Sequence, residues 1–143
     1  MAEGFWEQAV ETYLALDRGL FLNPQYLIGE PGVWEANPDF LAINFPENMV
    51  WMVEVTKTPR VALFNKISGF EQDYSWRIRE QLVRYKIIRD ECNSHNWAIG
   101  FWVFAPMTDL PNLENRLKAG GVKSYQATSL EETTFPSWEK RFR

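Results

Sequence analysis

Nine consecutive residues, WAIGFWVFA from Trp97 to Ala105, carry no charged side chain. A strand this apolar cannot face water on either side. It needs cover above and below, so the chain must fold in layers around a central sheet. The flanking sequence supplies those layers. Phe5, Trp6, Ala9, Val10, Tyr13 and Leu14 recur at helical spacing, and Gly19 stops that helix. Residues 20 to 37 are rich in Gly, Pro and Asn, with short strands expected near Tyr26 to Ile28 and Val33 to Glu35. Phe40 to Phe45 and Met49 to Thr56 read as a hairpin around Pro46-Glu47-Asn48.

Further on, Pro59 and Gly69 mark residues 58 to 72 as loop, with a short element at Val61 to Phe64. From Ser75 a long helix places Ile78, Leu82, Tyr85 and Arg89 on one face and ends near Asn93 to Asn96. Leu110 to Ala119 forms another helix, closed by Gly120-Gly121, and Val122 to Gln126 a last strand. The tail carries Phe135, Trp138 and Phe142 and is expected to dock on the body. The order helix, strands, hairpin, long helix, buried strand, helix, strand predicts an α/β sandwich around a mixed sheet. A chain of 143 residues reads as a single domain, with its core at about 5 to 126.

Composition narrows the chemistry. Cys92 is the sole cysteine, which excludes an internal disulfide framework and fits a reducing, cytoplasmic setting. His95 is the sole histidine, which excludes zinc sites built from several His or Cys ligands. A metal here would take oxygen ligands, as Mg²⁺, Mn²⁺ and Ca²⁺ do. No apolar run approaches a membrane span, and MAEGFWEQ lacks the basic start of a signal peptide. The net charge of −4 is unevenly spread. Residues 1 to 54 hold nine acidic side chains and one basic, whereas Lys57 to Arg89 holds eight basic and three acidic. An acidic half beside a basic strip suits a cation-binding cluster next to a phosphate-binding face; a solvated surface charged in blocks is the plainer reading.

Two acids stand out in PDFLAINFPENMVWMVEVTK, Pro38 to Lys57. Asp39 follows a proline, and Glu54 sits inside Val-Glu-Val. A carboxylate on an apolar strand is expensive unless paired, hydrogen-bonded or bound to metal. Taken singly, Asp39 reads as a turn residue and Glu54 as a strand-end acid paired with a base. The hairpin brings the two onto adjacent strands, within reach of one cation.

Pro38-Asp39, then Glu54 and Lys57 at a strand end, resembles the PD-(D/E)XK nuclease superfamily. Gln81-Leu82-Val83-Arg84-Tyr85 matches the QxxxY motif of its RecB-like members. The expected element order resembles that superfamily's restriction-endonuclease-like core of helix, three strands, helix, strand. The resemblance spans roughly Phe5 to Ala105.

It implies an Mg²⁺-dependent deoxyribonuclease, with Mn²⁺ able to substitute. Asp39, Glu54, the backbone carbonyl of Val55 and an acid of the first helix would be metal ligands. Glu11 is the first choice for that acid and Glu7, one turn earlier, its rival. Lys57 would be the catalytic lysine, with Gln81 and Tyr85 beside the scissile phosphate. Arg60, Lys66, Arg77 and Arg84 would contact the DNA backbone. DNA is the implied partner, with specificity supplied by a homodimer or a partner protein.

One spacing departs from the superfamily pattern. Val55 and Thr56 both intervene between Glu54 and Lys57, which in a regular strand turns Lys57 away from the acid. A β-bulge after Glu54 would return it. So would a strand ending at Val55, with Lys57 reaching back from a turn. Otherwise Thr56 holds the lysine's place and the site is inactive, which leaves a DNA- or protein-binding module on a nuclease-like fold. Trp76 is a candidate for stacking on bases, while Trp97 and Trp102 are expected in the core.

Overall fold

The computed structural model describes residues 2–24, 26–30, 33–88 and 96–134. Its centre is a five-stranded mixed sheet in the order β1-β4-β5-β6-β7. The strands are β1 (Phe21–Pro24), β4 (Phe40–Asn44), β5 (Met49–Val55), β6 (Ala98–Ala105) and β7 (Tyr125–Ser129). β2 (Ile28–Glu30) and β3 (Val33–Ala36) form a separate antiparallel pair. β1, β4 and β5 run antiparallel, while β6 and β7 run parallel to β5. Among the described residues four α-helices flank the sheet: α1 (Ala2–Thr12), α2 (Val61–Gly69), α3 (Ser75–Arg84) and α4 (Leu110–Ala119). The result is the expected mixed α/β architecture. Among the described residues no helix is long and apolar enough to cross a membrane.

Strand periodicity divides the core between the two faces of the sheet. Leu41, Ile43, Val50, Met52, Ile99, Phe101 and Val103 pack against Leu63, Ile67 and Phe70 of the α2 region, Ile78 and Leu82 of α3, and Leu113 and Leu117 of α4. Phe40, Ala42, Trp51, Val53, Trp102 and Phe104 pack against Val10 and Leu14 on the other face. β6 is buried from Ile99 onward, as its apolar sequence requires. The indole N–H of Trp102, fully buried, donates to Thr128 Oγ1 at 3.0 Å. Gly100 is the one place in β6 where a side chain has no room. A Cβ there would stand 2.6 Å from both Met49 Cε and a Trp51 ring carbon, and 2.8 Å from the Ser124 carbonyl.

The β4–β5 hairpin turns at Phe45 to Asn48. The Asn44 side chain accepts from Glu47 N–H at 3.2 Å, and Asn48 takes φ +53°, a conformation Asn tolerates.

Five boundaries differ from the sequence expectations. β1 lies in the stretch read as irregular; it is a short, largely exposed edge strand whose register is set by β4. The short strand expected near Tyr26 forms at Ile28–Glu30 instead. Of residues 58 to 72, only 58 to 60 are loop, and the short element expected at Val61 to Phe64 is the start of a longer helix. Pro59 precedes α2, and Gly69 lies where α2 passes into a π-helical turn, Phe70–Tyr74, that leads straight into α3. Leu63, Ile67 and Phe70 carry the helical period past Gly69. α3 stops at Arg84, because Lys86 adopts φ +60°; Arg89 and His95 lie outside the described residues. The last strand begins at Tyr125 rather than Val122, and Phe135, Trp138 and Phe142 lie outside the described residues.

Candidate active site

Asp39 and Glu54 meet because the hairpin is in register. Phe40 pairs with Val53, so Asp39 stands opposite Glu54 one step further on. Alternation along β5 puts Glu54 on the face of Val50 and Met52, toward α2. Its side chain is 10% exposed, and Lys66 of α2 donates to Glu54 Oε1 at 2.8 Å. Asp39 is fixed from its other side, where Oδ2 accepts the Val55 N–H at 2.7 Å. The two carboxyl groups are also in hydrogen-bonding contact with each other, and Glu7 of α1 reaches Asp39.

Burial raises the pKa of both acids, which disfavours charge on either. For Glu54 the value is pushed up from 4.5 to about 7, by burial first, with the nearby Asp39 adding to it and Lys66 opposing it. For Asp39 burial again dominates, opposed by the Val55 N–H, by Lys66 and by the neighbouring carboxyls. Charge on the pair is therefore costlier than on two exposed carboxylates.

This sets a stability expectation. Between pH 4.5 and about 7 folded Glu54 keeps a proton that the unfolded chain has released. Native stability is thus favoured at the low end of that window and falls as pH rises through it. The loss amounts to about 3 kcal/mol across the window. Denaturant unfolding at a series of pH values should show that decline in the wild type and a flatter profile in Glu54→Gln. Parallel profiles would mean that Glu54 titrates normally.

The acids open into a cleft of about 540 Å³, lined by Glu7, Asp39, Glu54 and Lys66 together with the segment Val55 to Thr58, Arg60, Ala62 and Leu63. That volume lies within the range of small-molecule and substrate sites. Its lining joins three acids, Glu7, Asp39 and Glu54, with three bases, Lys57, Arg60 and Lys66. The cleft lies at the C-terminal end of β5, where the parallel β5–β6 pair ends and α2 begins.

The expected site residues fall into three groups. Asp39, Glu54, Val55, Lys57, Arg60 and Lys66 share the cleft. Glu11 does not; it is exposed, and its rival Glu7 lines the cleft instead. Glu7 is partly buried and Glu11 exposed, although helical spacing puts both beside buried Val10 and Leu14. No sequence signal chooses between them.

Gln81 and Tyr85 are also elsewhere. Gln81 is buried and spends its amide on the backbone beside β2, accepting from Gly29 N–H at 2.7 Å and donating to the Leu27 carbonyl at 3.0 Å and to Tyr26 Oη at 3.3 Å. Tyr85 is half exposed at the end of α3. Arg77 and Arg84 line a smaller recess with Trp76, Glu80 and Gln81. There Arg84 pairs with Glu80, and the Arg77 guanidinium lies 4.6 Å from the Trp76 ring centroid.

The strand does not bulge after Glu54. The β5–β6 register runs without a shift from Met49–Ala98 to Val55–Phe104, and Thr56 N–H continues it by donating to the Phe104 carbonyl at 2.9 Å. Lys57 lies beyond the strand's end, exposed, and makes no ion pair among the described residues. The base in contact with Glu54 is Lys66, which the resemblance places at the DNA backbone. Its approach to Glu54 depends on α2, which Pro59 and Gly69 conceal in the sequence.

No family model matches the chain, and no curated protein matches it. Among solved structures it is similar to an XisH family protein from Nostoc punctiforme, at 15% identity, 90% coverage of this chain, 93% coverage of that one and a TM-score of 0.49.

Proposed function

We propose that the chain is a metal-dependent deoxyribonuclease of restriction-endonuclease-like fold that hydrolyses DNA phosphodiester bonds. The observation that carries this reading is the cleft itself, which two touching carboxyl groups, Asp39 and Glu54, share with Lys57, Arg60 and Lys66. The resemblance of these residues and of the element order to the PD-(D/E)XK superfamily supports it.

The donor chemistry fits a hard divalent ion. Asp39 and Glu54 are oxygen ligands held side by side, and a cation would offset the cost of ionising both in a buried place. Among the described residues no three His, Cys, Asp or Glu side chains stand in metal-holding geometry. The protein's share of the ligands is thus the pair, with the Val55 carbonyl and Glu7 beside it. Mg²⁺ bound there, with Mn²⁺ substituting, would polarise the phosphate and acidify a water molecule. The chain's own residues do the rest. The Val55 N–H holds Asp39 in place, and Arg60 with the two lysines draws the phosphate backbone into the cleft. Specificity for a DNA structure would come from a second copy of the chain or from a partner protein.

A non-catalytic module is the alternative, favoured by the Lys66–Glu54 ion pair, which already occupies one oxygen of the acid. Purified protein incubated with linear, branched and single-stranded DNA decides between them. Cleavage should need Mg²⁺ or Mn²⁺ and stop with EDTA. No cleavage of any substrate, together with no Mn²⁺ binding by calorimetry, overturns the nuclease reading.

A further inference from the structure

We infer that Lys66 on α2, and not Lys57 after the strand, is the cation that this cleft presents to a phosphodiester. This rests on the nuclease reading for its chemistry, but the geometry is independent of it. β5 keeps an unbroken register to its end at Val55, and Lys57 follows in a bend, lining the same cleft from beyond the strand. Lys57 is exposed and makes no ion pair among the described residues. Lys66 approaches from the covering helix. Its Nζ is 2.8 Å from Glu54 Oε1, and its side chain is 28% exposed and lines the same cleft.

An ammonium has three N–H donors, and the bond to Glu54 uses one. The others can address the cleft. Leu63 and Ile67 anchor the helix in the core on either side of Lys66, so the ammonium is held on a rigid element rather than on the turn that carries Lys57.

In hydrolysis a water oxygen bonds to phosphorus and the bond to one ester oxygen breaks. The water gives up a proton to solvent, and the departing alkoxide takes one up. Lys66 transfers no atom in this scheme. It donates hydrogen bonds to the phosphate oxygens on which negative charge grows, and keeps its own proton. Lys66 is then a catalytic residue by contact with substrate, and Lys57 an outer base of the cleft.

The experiment has two arms, both run on Lys66→Met, Lys66→Arg and Lys57→Met. In the first, cleavage with Mg²⁺ should fall about 10²-fold in Lys66→Met. It should recover in part in Lys66→Arg, and fall far less in Lys57→Met. In the second, anisotropy of a labelled single-stranded oligodeoxynucleotide in EDTA reads phosphodiester binding without hydrolysis. Lys66→Met should weaken binding about tenfold at low salt and lower the salt slope by roughly 0.7, as loss of one phosphate contact does. Lys66→Arg should bind like the wild type. If Lys66→Met melts below the assay temperature, Lys66→Gln replaces it, since it keeps a donor for Glu54 without the charge.

Full binding and cleavage by Lys66→Met, or collapse of both in Lys57→Met alone, overturns the inference while leaving the nuclease reading intact. No cleavage by the wild type, with the Lys66 binding effect still present, overturns hydrolysis and keeps Lys66 as the phosphodiester cation. Neither cleavage nor DNA binding by the wild type overturns both.

Discussion

Asp39→Asn should leave the fold intact and reduce DNA cleavage by about 10²–10³-fold, the scale on which removal of one group serving developing charge is felt. The substitution is nearly isosteric. An asparagine amide oxygen can still accept the Val55 N–H that Asp39 Oδ2 accepts at 2.7 Å, so the chain end before β4 keeps its anchor. What disappears is one negative charge from the acid pair in the cleft. Mn²⁺ affinity by calorimetry should fall with activity, while the melting temperature changes little, since Asp39 is ionised only at a cost in this buried setting. Glu54→Gln should lose cleavage similarly, but its melting behaviour should carry the altered pH dependence described for Glu54. If Asp39→Asn cleaves DNA at the wild-type rate, these carboxylates are not the catalytic centre.

Parts of this architecture could be read from the chain because local chemistry and tertiary packing agree there. The apolar run at β6, the turn residues between β4 and β5, and the stop at Gly120-Gly121 after α4 each have a local cause. The facing of Asp39 and Glu54 follows from the same hairpin, since register fixes partners once the turn length is set. Elsewhere the deciding forces are non-local. β1 is a strand only because β4 offers it a ladder; alone its four residues have no pattern. α2 survives Pro59 and Gly69 because Leu63, Ile67 and Phe70 bury against the sheet. At Gly69 an added Cβ would stand 2.8 Å from Asp73 Oδ2, so the glycine there is room for a helical neighbour and not a stop.

The same non-local cause explains what changed in the site. With residues 58 to 72 read as loop, the nearest base to Glu54 in sequence, Lys57, was the natural partner. Once α2 covers the end of β5, a base twelve residues away lies closer in space than a base three residues away. Lys57, past the end of β5, makes no ion pair among the described residues, whereas Lys66 is held on a helix against Glu54. Spacing along the chain measures reach only while the chain stays in one element.

Gln81→Leu should cost about 3 kcal/mol of stability while leaving the cleft's chemistry in place. Leucine fits the volume but makes none of the three hydrogen bonds of the Gln81 amide. The Gly29 N–H would lose its partner at a buried contact and the Leu27 carbonyl at a partly buried one, and an unsatisfied buried group costs roughly 1–3 kcal/mol. For a chain of this size the melting temperature should drop by roughly 10 °C. The β2–β3 pair should loosen first, because Gln81 is what ties β2 to α3, and hydrogen exchange at Gly29 should quicken before that of β5 or β6. Cleavage by the folded fraction, and its Mn²⁺ affinity, should stay within about threefold of wild type, a range set by indirect effects. A variant that melts normally but no longer cleaves would place Gln81 at the substrate, as its match to QxxxY first implied. The structure gives the opposite expectation, because that amide bonds to Tyr26, Leu27 and Gly29, none of which lines the acidic cleft.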